Sequence, residues 1–303
     1  MSGVCVTPPP LTTGDTVAIV SPASVVDPTL VTGAAEALCK RGFNVLIGKH
    51  ALGESGTYSG SRAERAADMN DALTNGDVRA ILCSRGGYGA VQILDDVALQ
   101  VDASNPKWLV GFSDISALHA LWHHRGIASV HGSMARHLAM YAPDDAPNAA
   151  LMHILGTSVG YDMTWDTDNR NRYGYCRGQL VGGNVAVLAD LLATPYNLLQ
   201  PGAILFIEDV SEPVYKVERI MWQLRLADIL PRLGGLIVGQ FTDCRANANH
   251  ATMEDMIAEM TSPYSYPVAF GCPIGHFDGN MPLLESVEVT LAVETDRTQL
   301  RYI

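Results

Sequence analysis

Through the first half of the chain, short apolar runs rich in β-branched residues alternate with stretches whose apolar positions recur every three or four residues. The runs over 15–20, 43–47, 78–83 and 108–112 read as strands, the last of them buried. Residues 28–41, ending at Gly42, and 61–73 read as helices. Ser61 followed by Glu64 forms a capping box at the start of the second. A helix is expected from about residue 90. Another is expected after Ser113, where Ile115, Leu118, Leu121 and Trp122 share helical spacing. Strands alternating with helices predict a parallel α/β sheet, with ligands bound beyond the carboxyl ends of the strands. Ser21, residues 85–88 and Ser113 all sit at such ends and are expected to converge.

The pattern weakens over 132–176, which holds Pro143, Asp144, Asp145, Pro147 and a polar run over 166–172. This stretch reads as a connecting region, partly helical around 149–155. Beyond it, helices are expected over 185–192, 213–226 and 252–260, and strands over 203–207, 233–240 and 268–270. Residues 287–293 alternate cleanly, and 298–302 would be their partner strand. The resulting fold class is α/β. An N-terminal doubly wound parallel-sheet domain with a nucleophile elbow (1–150) leads through the connecting region (151–177) into a C-terminal α+β domain (178–303).

Composition narrows the function classes. The chain has 303 residues, 48% of them hydrophobic and 17% charged, which is enough for a large core or two modest ones. Its formal net charge of −12 argues against nucleic acid or an anionic membrane as partner. Residues 1–10 lack a basic segment followed by an apolar run, and no stretch approaches the length of a membrane span. A soluble, cytoplasmic protein is expected. The six cysteines lack CxxC pairing and read as reduced, packed thiols.

The strongest chemical signal is Gly111-Phe112-Ser113-Asp114-Ile115, a strand, sharp turn and helix. A serine there is lifted above the strand ends, beside helix N–H groups that favour negative charge. The final glycine of the Gly-x-Ser-x-Gly elbow is replaced by Ile115, and a plain N-cap serine is the competing reading. A serine nucleophile needs a base and an acid to orient it. His276 lies in the polar, glycine-rich loop Gly275-His276-Phe277-Asp278-Gly279-Asn280, whereas His131 at a strand end reads as structural. His119 and His123 have metal-ligand spacing but no HExxH pattern, and read as solvated or core residues of a helix face. Glu208 and Asp209 close a strand, and only one of two neighbours can face a given site. Arg85-Gly86-Gly87-Tyr88-Gly89 lacks both nucleotide-loop patterns. Arg85 could meet a substrate carboxylate or form a structural ion pair.

Several segments together resemble the LD-carboxypeptidases of serine peptidase family S66. They are Gly111 to Ile115 with Val130-His131-Gly132; Gly178-Gln179-Leu180-Val181-Gly182-Gly183-Asn184; Leu205-Phe206-Ile207-Glu208-Asp209 with Val217-Glu218-Arg219-Ile220; Gly275-His276 with Asn280; and the loop Arg85 to Gly89. They keep the family's order over nearly the whole chain. The resemblance implies a triad of Ser113, Glu208 and His276, with an oxyanion hole from the backbone N–H groups of Gly87 and Asp114. It implies no metal or cofactor and a homodimer. The implied substrate is a small peptide, a peptidoglycan-derived (murein) tetrapeptide that loses its terminal D-alanine in cell-wall recycling. A relative of the microcin C7 self-immunity type, cleaving a peptide-nucleotide antibiotic, is the alternative within the family. A non-catalytic peptide-binding protein is the alternative outside it, and the intact Ser113, Glu208 and His276 argue against that. After Asn280 the chain departs from the family's Leu-Pro-x-Gly run, reading Met281-Pro282-Leu283-Leu284-Glu285.

Overall fold

The computed structural model describes residues 5–303, so the reading of residues 1–10 lies partly outside the described residues. The chain forms two compact units, Met1–Val159 with Met281–Leu284, and Gly160–Asn280 with Glu285–Ile303. The first contains β1 (Thr16–Val20), α1 (Pro28–Lys40), β2 (Asn44–Ile47), α2 (Arg62–Thr74), β3 (Val78–Cys83), α3 (Leu94–Val97), β4 (Trp108–Gly111), α4 (Ser116–His124), β5 (Ser129–His131), α5 (Ala135–Met140) and α6 (Ala146–Thr157). The second continues with β6 (Met163–Asp166), β7 (Gly174–Asn184), α7 (Val185–Asp190), β8 (Ile204–Val210), α8 (Val214–Leu226), β9 (Gly235–Thr242), α9 (Met253–Thr261) and β10 (Val268–Ala269). The strand β11 (Leu283–Glu285) joins the first unit's sheet, and β12 (Glu288–Val293) and β13 (Arg297–Tyr302) complete the second's.

The first sheet has the order β11-β5-β4-β3-β1-β2, with β1 to β5 parallel. The winding direction reverses between β1 and β3. In open parallel sheets, ligand-binding loops gather at the carboxyl ends beside such a reversal. The loops after β1 and β3 leave from that point, and the turn after β4 lies next to them. The central strands are apolar because both their faces are covered: β1 and β4 are buried throughout, with Ile19, Ile81, Trp108 and Leu109 fully enclosed, whereas the edge strand β2 is largely exposed. On α1, the bare Cα of Gly33 lets α5 come close, since a Cβ there would lie 2.8 Å from that of Ala139.

Local signals in the sequence account for the helix starts. Asp27 caps α1 by accepting from Thr29 N at 2.9 Å. The capping box at α2 is complete: Ser61 N donates to Glu64 Oε2 at 2.8 Å, and Glu64 N to Ser61 Oγ at 3.3 Å. The helix expected from about residue 90 is instead a 3₁₀ turn (Ala90–Ile93), the single turn α3 and a second 3₁₀ turn. Ala90 and Ile93, three residues apart and fully buried, fit the tighter spacing. Residues 132–176 hold α5, α6, β6 and the start of β7. Their pattern is weak because the exposed face of α6 carries Ala146, Ala149 and Gly156 rather than charged residues, and β6 is a four-residue edge strand.

The second sheet has the order β10-β9-β8-β7-β12-β13-β6. Its first four strands are parallel, and the rest are antiparallel. The strand β7 serves both halves, pairing with β12 over residues 174–179 and with β8 over 180–184. The pair expected over 287–293 and 298–302 is present as β12 and β13. Among the described residues no disulfide joins the cysteines; Cys5, Cys83 and Cys272 are buried, but Cys39 is exposed on α1 rather than packed.

Candidate active site

Ser113 opens the 3₁₀ turn that joins β4 to α4, and its φ is +66°. A non-glycine residue in the left-handed region costs about 1–2 kcal/mol, so the turn holds strain at this serine. The turn is sharp because two glycines give it room. A Cβ on Gly111 would lie 2.9 Å from the side chain of Ile115, the residue in the elbow's second glycine position. A Cβ on Gly86 would lie 2.8 Å from Ser113 Cβ and 3.1 Å from Asp114 N. The loop after β3 therefore lies directly against the serine turn.

That loop is fastened on both sides. Ser24, in the loop after β1, donates its backbone N–H to Gly86 O at 3.2 Å and accepts from Tyr88 N at 3.0 Å. Gly87 has a φ of +98°, and a side chain there would collide with Ser24 Oγ. Arg85 donates to Val25 O at 2.7 Å, which gives it a structural bond to a backbone carbonyl. From the other side, Asp114 Oδ2 accepts from Ala90 N at 2.7 Å. Burial pushes the Asp114 carboxyl up from its ordinary range, while the Ala90 N–H and the charge of Arg65 pull it down.

Two histidines of this unit, His119 and His131, are built into its interior. His119 is buried, with Nε2 2.9 Å from Gly111 O and Nδ1 2.8 Å from Ser129 Oγ. A carbonyl can only accept, so Nε2 carries the proton and Nδ1 accepts from the serine. Burial pushes the ring down to about 4, which keeps it neutral. Both nitrogens are engaged by protein, and among the described residues no group of three or more His, Cys, Asp or Glu side chains could hold a metal. His131 is fully buried, near the rings of Phe112 and His119.

In the second unit, β8 runs on past the expected end, so Glu208 and Asp209 lie within it and their side chains diverge. Glu208 is completely buried, and its Oε2 is 2.7 Å from His276 Nδ1. The His276 side chain is 18% exposed, so one end of the imidazole meets the carboxylate while the ring still reaches the surface. With Nδ1–H donating to Glu208, Nε2 is left as the basic nitrogen. The loop bearing His276 is shaped by Gly275, at φ +127°, whose N–H donates to the buried Asn280 Oδ1 at 2.9 Å. A Cβ on Gly275 would lie 3.0 Å from Gln240 O and 3.4 Å from Glu208 Cβ, so the loop passes closely over β9 and β8.

Asp209 faces a different set of groups. It accepts from Asn184 Nδ2 at 2.7 Å, Ala186 N at 3.1 Å and Val210 N at 2.8 Å, tying β8 to the start of α7. Asn184 caps the same helix by accepting from Val187 N at 3.2 Å. The glycines before it let the strands close up, since a side chain on Gly182 would collide with Phe206. Burial pushes Asp209 up to about 6; the nearby Glu208 adds to this, and the N–H donors oppose it. The folded state thus holds this proton more tightly than the unfolded chain does. Its contribution to stability falls as pH rises from about 4 through 6, by up to about 3 kcal/mol. Thermal unfolding across that window should show the loss in the wild type and a flatter profile in Asp209→Asn.

The sequence did not single out Asp209 as a helix-anchoring group or Arg65 as a buried one. Their partners are mostly backbone atoms, which leave no residue pattern.

Comparison with known proteins identifies the family. A family model described as the LD-carboxypeptidase N-terminal domain matches residues 17–132, and one described as the LD-carboxypeptidase C-terminal domain matches residues 177–291. The murein tetrapeptide carboxypeptidase of Pseudomonas aeruginosa is 31% identical over 269 residues, covering 86% of this chain and 87% of that protein. The crystal structure of muramoyltetrapeptide carboxypeptidase from Oxalobacter formigenes superimposes with a TM-score of 0.85 at 27% identity, over 95% of this chain and 98% of that one. The microcin C7 self-immunity protein MccF, in its wild-type apo state, shares the fold with a TM-score of 0.85 at 21% identity, over 98% and 99% of the two chains. The chain belongs to the LD-carboxypeptidase family, serine peptidase family S66.

Proposed function

We propose that the protein is a serine LD-carboxypeptidase that removes the terminal D-alanine from murein-derived tetrapeptides. In this reading Ser113 is the nucleophile, His276 the general base and Glu208 its orienting carboxylate. The observation that carries it is the 2.7 Å contact between the buried Glu208 and His276 Nδ1, which fixes the tautomer a serine triad needs. His276 Nε2 takes the hydroxyl proton as Ser113 Oγ attacks the carbonyl carbon before the terminal D-alanine. The negative oxygen that forms is held by the backbone N–H groups of Gly87 and Asp114. As the tetrahedral intermediate collapses, the C–N bond breaks, Nε2–H protonates the leaving amine, and D-alanine departs. Water, deprotonated by the same nitrogen, then releases the peptide from Ser113. The likeness to MccF, at 21% identity, extends to the fold alone. No helix among the described residues is long and apolar enough to cross a membrane. A cytoplasmic homodimer acting in cell-wall recycling completes the proposal, supported by the resemblance in its motifs.

Mass spectrometry of products tests the substrate class. Tetrapeptide muropeptide should yield tripeptide and free D-alanine, while an acyl-sulfamoyl nucleotide offered in parallel should persist. The reverse pattern would replace the murein reading with the self-immunity one.

The close approach of Gly86 to the serine turn supplies a second test. Gly86→Ala would press a methyl group against Ser113 Cβ, and a displacement of that order costs about 10²-fold in rate. Steady-state kinetics should show the loss in kcat, with circular dichroism showing the fold retained.

A further inference from the structure

The peptide group between Gly89 and Ala90 is gripped at both ends. Its carbonyl accepts from Arg65 Nη1 at 2.8 Å, and its N–H donates to Asp114 Oδ2 at 2.7 Å. Arg65 is 2% exposed, and among the described residues its hydrogen bonds go to uncharged oxygens. Its other bonds run to Pro22 O at 2.7 Å, Gly60 O at 3.2 Å and Gln92 Oε1 at 2.6 Å. Gln92 in turn donates to the hydroxyl of Tyr58 at 3.0 Å, and the guanidinium lies 4.8 Å from the centre of the Tyr58 ring. Gly89 is bare because a Cβ would fall 2.9 Å from Arg65 Nη1 and from the Tyr58 ring. One buried cation thus joins the loops after β1 and β3 and the approach to α2, and it faces the serine turn through a single peptide group.

We propose that Arg65 is a positioning residue for the oxyanion hole, acting through the Gly89–Ala90 peptide on Asp114 and on the loop that carries Gly87. The inference rests on the assignment of the Gly87 and Asp114 N–H groups as oxyanion donors. The peptide dipole is aligned with its carbonyl toward the guanidinium and its N–H toward the carboxylate, so both charges hold it in one orientation. Two residues before it stands Gly87, and Asp114 itself supplies the other donor. Fixing this peptide therefore fixes both donors relative to Ser113. A neutral side chain at position 65 would still fill space but would release the carbonyl of Gly89 and remove the charge that faces Asp114.

The test is the rate at which a fluorophosphonate probe labels Ser113, followed by intact-protein mass spectrometry with peptide mapping. Phosphonylation draws on the oxyanion donors yet needs no particular peptide. Wild type should label at Ser113. Arg65→Gln should label about 10²-fold more slowly, with unchanged affinity for a non-cleavable tetrapeptide analogue. Asp114→Asn, which keeps an acceptor for the Ala90 N–H but removes the charge, should also slow labelling, and the double variant should be no slower than Arg65→Gln. Labelling of Arg65→Gln at the wild-type rate would overturn the inference. A loss of analogue affinity in step with the labelling rate would also overturn it, because that would mark general disruption. If Arg65→Gln does not fold, Asp114→Asn decides the matter, and wild-type labelling there overturns the inference. Wild type left unlabelled at Ser113 would instead overturn the nucleophile assignment, and this inference with it.

Discussion

Ser113→Ala is expected to lower kcat by about 10⁶-fold, the scale set by removing the nucleophile from a serine triad. KM for the tetrapeptide should change little, because the hydroxyl contributes to bond making rather than to ground-state binding. Loss of a side chain that merely capped α4 would instead cost about 1 kcal/mol of stability and leave the rate alone. The backbone separates these readings further. Ser113 sits at φ +66°, so Ser113→Gly should relieve about 1 kcal/mol of strain and raise the melting temperature while abolishing turnover. A serine that is costly to the fold and indispensable to the rate is what a nucleophile elbow predicts. Thermal unfolding and steady-state kinetics on the two variants give both halves of the answer.

Glu208→Gln should lower kcat by about 10⁴-fold, the cost of losing the tautomer-fixing carboxylate in such a triad. The amide is nearly the same size as the carboxylate. It can nevertheless present an N–H to His276 Nδ1, which would move the ring proton to Nε2, the nitrogen that must act as base. It would also withdraw the negative charge that steadies the imidazolium. Asp209→Asn should leave kcat nearly untouched, because Asp209 meets Asn184, Ala186 and Val210 rather than the imidazole. Its effect belongs to stability, where an amide placed opposite two backbone N–H groups satisfies them less well. The ratio of the two kcat losses is therefore the sharper quantity. A larger loss in Asp209→Asn would show that the wrong carboxylate had been assigned.

The alternation of strands and helices, the capping box at Ser61 and the β12–β13 pair could be read directly, because each rests on local periodicity or on a short-range hydrogen bond. The serine turn was legible for the same reason: Gly111 and Ser113 lie on one continuous strand-turn-helix. Two neighbouring carboxylates could not be told apart, since strand alternation says only that Glu208 and Asp209 part company. Which of them meets His276 depends on β8 running alongside β9 and on a loop whose course Gly275 and Asn280 set. Arg65 was hidden more completely. Apart from Gln92, its partners are the carbonyls of Pro22, Gly60 and Gly89, and nothing in residue identity announces a carbonyl. After residue 89 the buried positions Ala90, Ile93, Leu94 and Val97 keep α-helical spacing, so nothing in the pattern marks the two 3₁₀ turns that flank α3. The strand order that puts the loops after β1 and β3 at the winding reversal is a property of pairing, which the sequence does not spell out.

Trapping the covalent intermediate tests the central claim most directly. Wild-type protein mixed with tetrapeptide muropeptide, quenched in acid during the first turnover and mapped by mass spectrometry, should carry the tripeptide as an ester on Ser113, released D-alanine matching it mole for mole. Consumption of the tetrapeptide with no ester, or with the adduct on another side chain, would contradict the account.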